Sequence, residues 1–349
     1  MHDRLNELGV ERCLLWADQP SGLRAVVVID DLTLGPAAGG IRTRSYPSLD
    51  AALADAAALA RAMTFKCALG GLTAGGCKIV VLDQPDLDRP AAFERLGQLV
   101  QELGGLVRTA GDLGTAEADL QHAAKHTRYL HLDQAALCAS AARGLIACIE
   151  ACVAQRGNDA TALGGLKVAV QGCGAIGAAV AKALAQQGVE LLLSDVDTDR
   201  ATRLADELGA ALIRPDDVLS AKVDVLAPCA VGGVVTEQVA RSIQAWAMVG
   251  AANNILSDRR VAATLAARDI LFVPDIIASA GAAIDGIGRT VMGLSDRTPL
   301  IDALGTTARD VLVRAAVSGS TTLEVAEQLA RERISAGAVG GGAAGADSD

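Results

Sequence analysis

The sequence predicts an α/β protein in which an N-terminal α/β domain precedes a doubly wound parallel sheet, with helices following at the C-terminus. Three observations predict it. A chain of 349 residues exceeds the size at which one core serves, so two domains are expected. Hydrophobic residues make up 51% and charged residues 21%, the balance of a globular chain rather than a disordered one. Beyond residue 165, short apolar runs alternate with helical stretches of ten to fifteen residues, the pattern of parallel strands joined by crossover helices.

The elements follow in order. Residues 23–30 (LRAVVVID) read as a β-branched strand and the glycine- and proline-rich GPAAGGIR after it as a loop. Ser48 is a good N-cap for a helix running through LDAALADAAALARAM. A short strand at 78–82 (KIVVL) and a helix near 91–103 complete the first domain, residues 1–134. An alanine-rich helix from about 135 to 156 opens the second domain, residues 135–289, and leads through the turn GNDATALGG to the strand LKVAVQG. Strands VELLLSD, VDVLAP, AMVGAA and ILFVPD then alternate with helices. Helices over 290–335 are expected to pack back on the first domain, and 336–349, rich in small residues, to form a disordered tail.

Composition narrows the function classes. Aromatics are only 2%, so the core must be built from Ala, Leu, Val and Ile, which lets elements approach closely. A net charge of −10 offers no basic footprint for phosphates, excluding nucleic acid as the expected partner. The first sixteen residues alternate charged and apolar positions, unlike a secretory leader, and no run reads as a membrane span, so a cytoplasmic protein is expected. Eight cysteines without a C-x-x-C pair read as reduced, buried thiols. His122 and His126 lie four apart on an expected helix, but without H-E-x-x-H or a clear carboxylate ligand no metal site is expected.

The turn Gly172-Cys-Gly174-Ala-Ile-Gly177 follows an expected strand and opens an expected helix, the context that gives G-x-G-x-x-G its meaning. The first glycine permits a tight turn, the second lets a pyrophosphate approach the backbone, and the third lets helix and strand pack closely. A bare glycine turn is the alternative. The next strand ends at Asp195, where a carboxylate would accept hydrogen bonds from ribose hydroxyls and repel a 2′-phosphate, so NAD is the expected cofactor. Arg200 in the same loop softens that preference.

Lys66 and Lys78 flank KCALGGLTAGGCK, and crowding two ammonium groups in a cleft would let one act as a base near neutral pH. Alone, two lysines read more readily as surface residues. The blocks GPAAGGIRT, AMTFK, GGCK, TAGDLGT, VAVQGCGAIG, APCAVGG, GAANN and VPDIIASAGAAI, in that order over residues 35–284, resemble the glutamate/leucine/phenylalanine/valine dehydrogenase family, most nearly its leucine and phenylalanine members. The resemblance implies a substrate domain, a Rossmann domain and returning helices. It implies that Lys66 pairs with the substrate carboxylate, that Lys78 activates water and that Asp112 moves protons to and from the substrate nitrogen. A helix or turn cap is the alternative for Asp112. Gly39, Gly40, Asn254 and Ala283 would line the substrate site. Gly172, Gly174, Ala175, Ile176, Gly177, Asp195, Cys229, Ala230 and Asn253 would contact the NAD, and a homo-oligomer is implied.

The activity so implied is reversible, NAD-dependent oxidative deamination of an apolar L-amino acid, phenylalanine- or leucine-like, to the 2-oxo acid and ammonia. Glutamate-specific relatives carry a lysine where this chain has Ala38, and Ala283 stands where leucine-type relatives carry valine, which makes room for a bulkier side chain. The chain also departs from the family pattern. Residues 131–144 are shortened, Ala141 replaces a threonine, Ser279 an asparagine and Ala282 a glycine. These departures motivate two alternatives: a relative acting on an unusual amino acid, tryptophan or a non-proteinogenic one, and a non-catalytic NAD-binding sensor. Retention of Lys66, Lys78 and Asp112 together argues against the sensor.

Overall fold

Nearly continuous burial over Leu23–Ile29 and an uninterrupted buried run over Gly75–Leu82 form the middle of a sheet in a computed structural model that describes residues 2–157 and 163–341. Contacts divide the chain into two compact units, Met1–Gln134 with Gly286–Ser295 and Arg331–Asp349, and Ala135–Asp285 with Asp296–Ala330.

In the first unit α1 (His2–Leu8), β1 (Arg12–Asp18), β2 (Leu23–Asp31), β3 (Ala37–Arg44), α2 (Leu49–Leu69), β4 (Gly75–Leu82), α3 (Arg89–Glu102), β5 (Val107–Gly111) and α4 (Glu117–Ala124) follow in order. The described residues form a mixed sheet of order β1-β2-β4-β3-β5. β3 runs parallel to both β4 and β5, whereas β2 is antiparallel to β4 and to β1. Side chains alternate across the sheet, so Val26, Val28 and Val80 pack on Ala52, Ala56 and Ala60 of α2, while Val27, Ile41 and Ile79 pack on Phe93 and Leu96 of α3. Full burial of Phe93 contributes roughly 1.5–3 kcal/mol. Ser48 caps α2 by accepting from the Ala51 amide at 3.1 Å, a contribution of about 1 kcal/mol.

The second unit opens with α5 (Gln134–Gln155), followed by β6 (Lys167–Gln171), α6 (Ala175–Gln186), β7 (Glu190–Ser194), α7 (Thr198–Leu208), β8 (Ala211–Leu212), β9 (Val225–Pro228), α8 (Glu237–Ser242), β10 (Ala247–Val249), α9 (Val261–Ala267) and β11 (Leu271–Val273). The sheet order β11-β10-β9-β6-β7-β8, parallel throughout, reverses direction at β6 and is the doubly wound arrangement the alternation predicts. Helices α10 (Asp275–Ala278), α11 (Gly281–Thr290), α12 (Thr298–Ser318) and α13 (Thr322–Gly341) close the chain.

Four expectations need correction. GPAAGGIR is not a loop: residues 37–44 form β3, a central strand, because its glycines lie where neighbouring backbone would meet a side chain. A Cβ at Gly39 would collide with the Cys77 carbonyl oxygen, and one at Gly76 with the backbone of Ala60 and Thr64 in α2. The segment 290–335 does not pack as one block on the first unit. Residues 296–330 group with the second unit, where α12 buries Ile301, Leu304 and Ala308 and meets α5 through Gly144, Gly305 and an Arg143–Asp302 ion pair at 2.5 Å. The tail is helical as far as Gly341, and Arg333 ties that helix to the Ala68 and Leu69 carbonyls at 3.3 and 2.7 Å. Residues 342–349, and 158–162 of the GNDATALGG turn, lie outside the described residues.

The fourth concerns membranes. The stretch Ala135–Gln155 is long and apolar enough to cross one, with 56% of its window buried inside the protein. Its packing on α12 is that of a core helix.

Gly39→Ala should destabilise the protein by at least about 3 kcal/mol, or stop it folding, whereas Gly174→Ala, with nothing within 4 Å of its Cβ and an ordinary φ of −66°, should stay within about 0.5 kcal/mol of wild type. Chemical denaturation measures both, and equal stabilities would contradict the close approach at Gly39.

Candidate active site

Three parallel strands, β4, β3 and β5, lie side by side, and the site residues of the first unit come from them. Lys78 lies on β4, Gly40 on β3, and Asp112 immediately after β5. The Lys78 ammonium donates to Asp112 Oδ2 at 2.7 Å. Gly40 sits between them: a Cβ there would lie 2.9 Å from Asp112 Cβ and 3.3 Å from Lys78 Nζ. Any larger residue at this point would press on the ion pair. Lys66 is buried, 5% exposed, near the end of α2, which crosses the same face of the sheet.

The backbone around Asp112 is stitched to β3. The Asp112 amide donates to the Ile41 carbonyl at 3.0 Å and the Thr43 amide to the Leu113 carbonyl at 3.0 Å. The Thr115 hydroxyl donates to the Ile41 carbonyl at 2.7 Å and lies 2.8 Å from the Thr43 hydroxyl. Gly114, at φ 78°, completes the turn, and a Cβ there would strike the Thr43 carbonyl. Asp112 is therefore the fixed, charged end of a strand and not a helix cap.

Three residues that sequence reasoning passed over, Arg42, Asp55 and Tyr46, complete the cluster. Arg42 Nε donates to the same Oδ2 of Asp112 at 2.9 Å, and its Nη1 donates to Asp55 Oδ2 at 3.1 Å. Tyr46 donates to that Asp55 oxygen at 2.6 Å. Strand alternation holds the signal: Arg42 stands two residues after Gly40 and shares its face, which was invisible while the segment read as a loop. Burial opposes ionisation of Asp112, but the charges of Lys78 and then Arg42, with hydrogen bonds from Lys78 and the Leu113 amide, outweigh it and hold its carboxyl well below the usual range. The sequence reading paired lysine with lysine. The structure pairs Lys78 with a carboxylate.

In the second unit, the residues singled out for a dinucleotide converge at the carboxyl ends of β6, β7 and β9. The Gly172 amide donates to the Ser194 carbonyl, the Cys229 amide to the Gln171 carbonyl, both at 2.7 Å, and the Cys173 amide to Asp195 Oδ2 at 2.7 Å. Gly172, at φ 96°, leaves no room for a Cβ against Ala230, and a Cβ on Gly177 would collide with the Gly172 carbonyl. Gly174 is the N-cap of α6, offers no side chain to the helix's first amides, and faces open space. Uncapped amides beside a vacant glycine fit a pyrophosphate. Ala175 and Ile176 form the first turn of that helix.

After β10 the Ala252 amide donates to the Pro228 carbonyl at 3.1 Å, which sets Asn253 and Asn254 beside this edge. Asn254 adopts φ 52° and its amide donates to Asp275 Oδ2 at 2.8 Å. Ala283, on α11, and Ser279, whose hydroxyl bonds the Asp275 carbonyl at 2.7 Å, lie further along, and Ala141 is buried in α5. Among the described residues no group of three His, Cys, Asp or Glu could hold a metal. His122 instead lies 3.1 Å from Glu94.

The geometry predicts a pH-dependent stability. Asp112→Asn removes the anion that the buried Lys78 and Arg42 share, leaving Arg42 with Asp55 alone, and should cost about 3–5 kcal/mol at pH 7. Because the folded pKa of Asp112 is depressed, its contribution is full above the ordinary carboxylate value and is lost as pH falls through the folded one. The gap between wild type and variant should therefore hold from pH 7 to about 5 and shrink below about 4, measured by denaturant titration. A gap independent of pH would contradict the assignment.

Residues 14–129 match the profile of the Glu/Leu/Phe/Val dehydrogenase dimerisation domain, and residues 190–285 that of Glutamate/Leucine/Phenylalanine/Valine dehydrogenase. The chain is 32% identical to a phenylalanine dehydrogenase of Lysinibacillus sphaericus over 93% of its length and 88% of that protein's. It is 31% identical to a leucine dehydrogenase of Thermoactinomyces intermedius, over 95% and 93% of the two chains. The crystal structure of L-tryptophan dehydrogenase from Nostoc punctiforme superposes with a TM-score of 0.80 at 30% identity, covering 97% of this chain and 99% of that one. With similarity of sequence and structure running through both units, the chain belongs to the glutamate/leucine/phenylalanine/valine dehydrogenase family of amino acid dehydrogenases.

Proposed function

We propose that this dehydrogenase converts an apolar L-amino acid, water and NAD to the 2-oxo acid, ammonia and NADH, reversibly, with Lys78 and Asp112 as its acid–base pair. The observation that carries the reading is the buried Lys78–Asp112 contact at 2.7 Å, packed against Gly40, where no larger residue fits. Lys66 binds the substrate carboxylate, whose burial without a cation would be costly. By family resemblance Gly40, Asn254 and Ala283 border the substrate; Gly39 belongs to the same assignment, but its missing side chain serves the packing of β3 against the Cys77 carbonyl. A nicotinamide held by the second unit would supply the acceptor for the hydride that leaves the α-carbon. Lys78 then activates the water that attacks the resulting imine, and Asp112 carries protons to and from the nitrogen as ammonia leaves.

Gly172, Gly174, Ala175, Ile176 and Gly177 would hold the pyrophosphate, and Asp195, Cys229, Ala230 and Asn253 the rest of the dinucleotide. NAD is preferred over its 2′-phosphate because the Asp195 carboxylate, directly after β7, would accept from the ribose hydroxyls and repel a further phosphate. Arg200, the one nearby cation from the sequence reading, already faces Asp195 at 3.6 Å and Asp197 at 2.9 Å. Ala38, buried on the face shared with Gly40, offers no cation to an acidic side chain. Leucine, phenylalanine and tryptophan dehydrogenases among the similar proteins support a large apolar substrate. The dimerisation-domain match supports a homo-oligomer, and eight free thiols support a reducing, cytoplasmic setting.

The test is NADH formation at 340 nm with Phe, Leu, Val, Trp and Glu, with either cofactor, beside Lys78→Ala. An apolar amino acid should exceed Glu at least 100-fold in kcat/KM, NAD should exceed NADP, and Lys78→Ala should lose at least about 1,000-fold. Turnover of Glu alone, or an undiminished variant, would overturn the reading.

A further inference from the structure

Arg42 is 9% exposed and divides its guanidinium between two carboxylates, Asp112 at 2.9 Å and Asp55 at 3.1 Å. Tyr46, in the segment between β3 and α2, fixes the far side by donating to Asp55 at 2.6 Å. Burying an arginine is costly, and an apolar side chain would fill the volume as well, so stability alone does not account for it. What distinguishes the arrangement is that Arg42 and Lys78 bind one and the same oxygen, Asp112 Oδ2.

A lysine that exchanges a proton during turnover is an intermittent counter-ion for its carboxylate. A guanidinium is a permanent one, because it does not deprotonate in proteins. With Arg42 present, Asp112 keeps a cation and an orientation in every protonation state of Lys78. We propose that Arg42 is a positioning residue that holds Asp112 ionised and aimed through the catalytic cycle, and that Asp55 and Tyr46 set Arg42 in place. The proposal rests on Lys78 and Asp112 being the acid–base pair.

The charged groups facing Asp112 are Lys78 from β4 and Arg42 from β3. Those facing Arg42 are Asp112 and Asp55, the latter from α2 and bonded by Tyr46. Removing the Arg42 charge takes a cation away from the coupled acid–base pair, so the rising limb of the kcat/KM profile should move to higher pH. Burial, then the hydrogen bond to Asp55, pushes the Tyr46 phenol well above its ordinary value, so it stays a donor across that range.

The test compares wild type, Arg42→Gln, Arg42→Lys and Tyr46→Phe, each checked by circular dichroism and thermal melting. Arg42→Gln should lower kcat roughly 10- to 100-fold with KM within about threefold, and move the rising limb up by about one pH unit. Arg42→Lys should restore most of the profile. A folded Arg42→Gln with the wild-type profile, or an Arg42→Lys no better than Arg42→Gln, would overturn the proposal in favour of mere packing. Should Arg42→Gln not fold, Tyr46→Phe carries the test through a smaller upward shift of the same limb, and an unshifted limb there would overturn it. Carbon-13 NMR of aspartate-labelled protein, with Asp112→Asn for assignment, reads the same grip without turnover. The Asp112 midpoint should rise by about one unit in Arg42→Gln and stay in Arg42→Lys. Absence of any amino acid turnover by wild type would sink the functional reading, while an unmoved Asp112 midpoint would sink the role of Arg42.

Discussion

A carboxylate buried between two cations is stable only if the backbone holds all three where the attraction exceeds the loss of hydration. Asp112 imposes that demand on the first unit. Its amide is held by β3, its oxygen by Lys78 of β4 and Arg42 of β3, and Arg42 in turn by Asp55 of α2. A displacement of β3 against β4 would break two charged hydrogen bonds at once. The parallel arrangement of β4, β3 and β5 is thus a requirement of the site as well as of the core.

Glycine makes that arrangement possible. At Gly39, Gly40 and Gly76 neighbouring atoms occupy the volume of a side chain, so β3 and α2 approach β4 more closely than other residues would permit. Two of these glycines serve packing. Gly40 differs, because the atoms its missing side chain makes room for are Asp112 Cβ and Lys78 Nζ, the ion pair itself. In the second unit, Gly172 and Gly177 are required by crowding and Gly174 by the emptiness in front of it.

The second unit was largely legible from sequence because its signals are local. Alternating strands and helices, a glycine turn between them and an acidic residue after the next strand all act over a few tens of residues. The first unit was less so. β3 looked like a loop because its glycines answer to Cys77 and Asp112, residues distant in the chain. Arg42 was missed for the same reason, since its meaning depends on a strand whose existence was not apparent. Lys66 and Lys78 stood out beside their glycine-rich loop, but their roles, and Asp112 altogether, came from family resemblance, and spacing alone would not have joined Lys78 to Asp112 across 34 positions. The grouping of α12 with the second unit depends on its glycine-mediated contact with α5, which no periodicity reveals.

The central claim is that Lys78 and Asp112 act as one unit. It is tested most directly by kcat/KM for Lys78→Ala, Asp112→Asn and the double variant on the best amino acid substrate. Residues acting together lose little more when both are removed, so the double variant should fall within about tenfold of the worse single one. Losses that multiply would show two independent contributions and contradict the account.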